Sequence, residues 1–173
     1  RISADVTTPA SSPTVNPLKN AKITFPAGTN LKPNNRLTPV CGDNKLSNSS
    51  VLNSPETVIA ACKNSIVGTG VATIILAKIN NNPNTVIDDP VLVIFNNGTD
   101  NKGNAKVKIW GYSKTTNYGI LMQASMVKST LDVKVPVLSN DSAARVFEME
   151  LAGPRLNRPD INIDVQGPDK PYV

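Results

Sequence analysis

Between residues 71 and 165 the chain is a succession of short apolar, β-branched runs, each closed by Gly, Pro, Asn or Asp. Such punctuation favours strands joined by turns, because β-branched side chains suit a pleated surface while Asn and Gly accept the positive φ of tight turns. The runs fall at residues 71–79, 91–95, 106–112, 118–127, 131–138, 145–151 and 161–165. Their spacing of roughly ten to fifteen residues is that of a sandwich or barrel. Residues 71–79 and 91–95 are apolar on both faces and belong at the centre of a sheet. Residues 106–112 alternate Val107, Ile109 and Gly111 against Lys106, Lys108, Trp110 and Tyr112, and 131–135 alternate in the same way. That pattern predicts antiparallel strands buried on one side. The expected fold class is all-β, an antiparallel β-sandwich of immunoglobulin-like or jelly-roll-like kind. It occupies residues 18–173 as one domain with a Pro-rich C-terminal end.

Before residue 71 the pattern is weaker. Residues 21–25 read as a strand stopped by Pro26. Residues 26–57, rich in Pro, Asn and Ser, read as long loops with one strand near 36–40, and 57–62 as a strand or a single helical turn. Gly68-Thr69-Gly70 reads as a turn or bulge leading into Val71.

Residues 1–17 form a separate unit, an extended N-terminal arm. Ile2, Ala4 and Val6 share one face and Ser3, Asp5 and Thr7 the other, as in a half-buried strand. Pro9, Pro13 and Pro17 then impose an extended connector with few donors. A start at Arg1 without Met fits a processed or trimmed N-terminus, including loss of a signal peptide.

Cys41 and Cys62 are the only cysteines. In a Ser-, Thr- and Asn-rich chain without zinc or redox spacing they are expected to form one disulfide in an oxidising compartment. Closing a loop of about 20 residues contributes roughly 3 kcal/mol. Asn48, Asn97 and Asn140 begin glycosylation sequons, usable in a eukaryotic or archaeal source. No apolar stretch reaches the ~18 residues of a membrane span. The 13 Lys and 5 Arg give a net charge of +5 but are scattered, which argues against nucleic acid.

The chain has no His, which removes the commonest general base and zinc ligand. Glu148 and Glu150 share a strand face, which reads as a solvated surface more readily than as a glycosidase pair. Asp88-Asp89-Pro90 and the loop at 100–104 offer oxygen ligands, but turn chemistry accounts for both. No catalytic residue, metal site or cofactor is expected, and the chain reads as a non-enzyme.

Two surfaces remain. Lys106, Lys108, Trp110 and Tyr112 form either a glycan or protein contact or a face packed under a loop. Ile2, Ala4 and Val6 form either an ordinary first strand or a donor strand that completes a neighbouring subunit by β-augmentation. The leading expectation is a secreted or cell-surface protein, a structural or adhesive subunit of an extracellular assembly, homo-oligomeric through its N-terminal arm. The alternatives are a secreted glycan- or protein-binding module and, more weakly, a viral coat or fibre protein.

Overall fold

The computed structural model describes residues 1–6, 17–48, 54–76, 85–137, 142–151 and 155–166. Their strands are β1 (Ile2–Asp5), β2 (Asn20–Thr24), β3 (Ile66–Leu76), β4 (Thr85–Ile87), β5 (Val91–Thr99), β6 (Ala105–Ser113), β7 (Tyr118–Val127), β8 (Thr130–Lys134), β9 (Ser142–Leu151), β10 (Leu156–Arg158) and β11 (Ile163–Val165), with one helix, α1 (Pro55–Cys62). The fold is all-β, and its strand pairings are antiparallel.

Nine strands form one sheet in the order β1-β9-β3-β5-β6-β7-β8-β2, with β4 beside the end of β3. Strands β5 to β8 run as a meander. Asp100 and Gly103 turn β5 into β6, with Gly103 at φ +81°. Asn117 at φ +48° and Lys128 at φ +55° turn the next two hairpins. These are positions where the left-handed region is required, and Gly and Asn reach it most easily. β9 then returns to the far side of β3, pairing from Gly68↔Leu151 to Leu76↔Ser142. β1 and β2, consecutive in sequence, thus sit at opposite extremes of the strand order.

One continuous, curled sheet stands where two packed sheets were expected. Its outer face carries Val91, Val93, Phe95, Trp110 and Leu121. These pack against Val58 and Ile59 of α1, Leu46 of the preceding loop, and Ile163 and Val165 of β11. The inner face curls on itself around Val67, Ile94, Val107, Met126 and Leu131, with Leu31 packed among them.

Of the two readings of residues 57–62 the helical one holds, within the eight-residue α1 capped by Ser54 and started by Pro55. Several other local expectations are corrected. Residues 36–40 form no strand. Gly68 and Gly70 form no turn but lie inside β3, whose register with β5 shifts between Ile66 and Gly68 as the bulge alternative expects; β9 approaches so closely that a Cβ at either would run into the carbonyl of Glu150 or Glu148. β6 is buried on both faces, not one. Residues 163–165 pair with β10 in a separate hairpin instead of forming an edge of the main sheet.

Candidate functional site

β1 lies on β9 of its own chain. The register is Ile2↔Met149, Ser3↔Glu148, Ala4↔Phe147 and Asp5↔Val146, and Val6 N donates to Arg145 O at 2.6 Å. Directly paired residues share a face, so Ile2 and Ala4 extend the inner wall carried by Met149 and Phe147. Both are half-buried, whereas Val6 is 38% exposed. On the outer face Ser3 Oγ donates to Glu148 Oε1 at 3.2 Å, and the Arg1 guanidinium pairs with the same carboxylate. Residues 7–16 of the expected arm lie outside the described residues.

Those two donors hold the Glu148 carboxyl below the usual glutamate range, the Arg1 hydrogen bond contributing most. A carboxylate depressed by docking stabilises the docked state above its ordinary pKa and loses that contribution as pH falls through the depressed value. Acidification from neutrality toward pH 3 is therefore expected to loosen β1. Hydrogen exchange of the Ile2–Asp5 amides, corrected for intrinsic rates, should show less protection at low pH in wild type and a flatter profile in Glu148→Gln.

The face of Lys106, Lys108, Trp110 and Tyr112 is closed to a ligand. Lys108 and Trp110 are fully buried and Tyr112 nearly so, while Lys106 is half-buried. Trp110 and Tyr112 stack with ring centroids 5.6 Å apart, and the Tyr112 hydroxyl donates to Asn117 Oδ1 at 2.8 Å. The Trp110 indole N–H has no partner among the described residues, which fits a ring held for its apolar bulk.

Of the two readings of this face, Lys108 fits the one packed under a loop, and its ammonium is an internal anchor. It donates to Cys41 O at 2.9 Å and Leu46 O at 2.7 Å, and pairs with Asp43 Oδ1 at 2.7 Å. Three donors thus meet three acceptors, which satisfies an ammonium. The same pairing lowers the Asp43 pKa. The anchored turn carries Cys41, bonded to Cys62 across 5.5 Å between Cα atoms. Lysine and disulfide together pin the loop over Phe95 and Trp110. Lys108→Met keeps the stem but leaves two buried carbonyls without their charged donor, a loss of about 2–4 kcal/mol. A lower urea midpoint with faster exchange at the Leu46 amide is the expected observation.

The remaining candidates have structural partners. Asp89 is opposed by burial, but its bonds from Ser113 Oγ at 2.7 Å and Thr115 N at 2.8 Å win and lower its pKa. Asp100 accepts from Lys102 N and Asn104 N, both at 2.8 Å, as an Asx turn. Glu148 serves β1, and Glu150 lies on the same face of β9. Asn48 is exposed and Asn97 half-buried in β5; Asn140 lies outside the described residues.

One feature escaped the sequence reading. At the end of the curled sheet away from Leu31, the inner face encloses a predominantly apolar cavity of about 510 Å³, partly open to solvent. It is hollow because inward positions there are small: Ala21 of β2, Ala72 of β3, Gly111 of β6 and Ala144 of β9. A sealed void of that size would cost on the order of 10 kcal/mol at the measured cost per cavity volume, comparable with the whole stability of a domain. No family model, curated protein or solved structure matches this chain.

Proposed function

We propose that this chain is a structural subunit of an extracellular assembly, its copies joined by exchange of β1 onto the β9 edge of a neighbour. The observation that carries this reading is the placement of β1. It is a four-residue strand at the extreme edge of the sheet, paired among the described residues with β9 alone and followed in sequence by Pro9, Pro13 and Pro17. Exchange replaces each contact within a chain by the identical contact between chains, the low-cost route of domain swapping. A strand that enters one neighbour while its own β9 receives another makes a head-to-tail contact, which propagates as a filament unless the rotation closes a ring. The Cys41–Cys62 disulfide supports an oxidising compartment for such a subunit. The buried Trp110 face gives no support to glycan binding there.

The test is the oligomeric state of native material. Negative-stain microscopy should show filaments or rings, and unboiled samples should give a ladder on SDS gels that collapses on boiling. Monodisperse monomer across the micromolar to millimolar range would overturn the proposal.

A further inference from the structure

We propose that the cavity at the hollow end of the curled sheet binds one uncharged molecule with a single alkyl chain, its tail inside and a hydroxyl at the rim. The proposal stands independently of strand exchange. A curled antiparallel sheet of eight strands is the size at which an interior is either filled by side chains or holds one small ligand. Here one end is filled, by Ile94, Val107, Met126 and Leu131, and the other is kept open by Ala and Gly. A volume of about 510 Å³ lies within the ordinary range of ligand sites.

The lining decides the chemistry. The wall carries the buried Leu92, Ile109 and Val133 and the half-buried Ile74 and Ile120, and no charged side chain is among its described lining residues. A carboxylate or ammonium head drawn inside would lose water without gaining a partner. Hydroxyl-bearing Thr116 and Tyr118, both exposed, sit on the wall where it meets solvent, and can hydrogen-bond an alcohol.

The chain's own segments are poor occupants by sequence. Residues 7–16, 77–84 and 138–141 border lining residues Pro17, Leu76, Val137 and Ser142. They consist largely of Thr, Ser, Asn and Pro, and offer only Ala10, Val15, Ala77, Ile79 and Leu138 as apolar aliphatics besides Pro. An alkyl chain matches the wall better than any of these segments.

Isothermal titration of the full chain with 1-hexanol, 1-octanol and 1-decanol should give saturable one-to-one binding. Affinity should rise about fourfold per added methylene, the factor expected for burying each CH₂. Decanoate at neutral pH should bind roughly tenfold more weakly than 1-decanol, because its charge must stay at the rim. Ala72→Phe, and separately Ala21→Phe, should fill the space and reduce decanol affinity at least roughly tenfold with the fold retained by circular dichroism. Absence of saturable binding, affinity independent of chain length, or unchanged binding in a folded filling variant would overturn the proposal. So would binding to phosphatidylcholine vesicles that survives filling, since the attraction would then lie on the protein's surface. If one variant fails to fold, the other and the wild-type chain-length series still decide.

Discussion

Trp110→Ala is expected to cost about 3–5 kcal/mol, among the largest effects of single truncations at the described residues. The ring is fully buried on β6 and lies in one cluster with Phe95, Leu46, α1 and β11. Elements from three separated parts of the sequence meet there, so a cavity cannot close by moving only one of them. The indole N–H has no described partner, so truncation sacrifices packing without losing a hydrogen bond. Trp110→Phe, which keeps much of the volume, should recover more than half of the loss. Urea unfolding followed by far-ultraviolet circular dichroism measures both, and the slope should remain that of wild type if the transition stays two-state. A loss below about 1 kcal/mol for Trp110→Ala would mean that the loop and α1 do not cover the ring as described.

The second large effect is on assembly. Ile2→Asp combined with Ala4→Asp puts two carboxylates against Met149 and Phe147, on the inner side of the β9 edge. Burying one Ile is worth roughly 1.5–3 kcal/mol, and ladder hydrogen bonds add about 1 kcal/mol each. A four-residue strand has little beyond this to offset the entropy of association. The double variant should therefore abolish filaments and the SDS-resistant ladder entirely. The globular body should stay folded, because β3, β5, β6 and β7 form the sheet's interior without β1. An unfolded monomer would assign β1 to the stability of its own subunit. Unchanged filaments would remove β1 from the assembly mechanism.

The sequence revealed where strands lie far better than which strands meet. Residues 118–127 were legible to the residue because Asn117 and Lys128-Ser129 bracket a β-rich run, and both turns are local chemistry. The pairing of β9 with β3 is not local, since it joins residues 66 to 83 positions apart, with the whole meander between them in sequence. The start of β3 was misread for a specific reason. Gly68 and Gly70 usually mark a turn, but here they let the β9 backbone approach. Lys108 misled in the opposite direction, because alternation assigns a lysine to solvent. Nothing in β6 itself announces the carbonyls of Cys41 and Leu46 that receive its ammonium. The disulfide was readable from cysteine count and context alone. The cavity was not, because Ala21, Ala72, Gly111 and Ala144 lie on four different strands and form one wall only once the sheet has curled.

Under strand exchange, β1 of one copy occupies β9 of another in the same register found within the chain. Asp5 pairs with Val146, so chains carrying Asp5→Cys alone, mixed with chains carrying Val146→Cys alone, test it directly. Under mild oxidation in assembly conditions the mixture should form covalent dimers, resolved on reducing and non-reducing gels. Neither population alone should do so to a comparable extent. The contradicting result is a mixture that yields no covalent dimer, while a chain carrying both substitutions closes the cross-link within itself at every concentration.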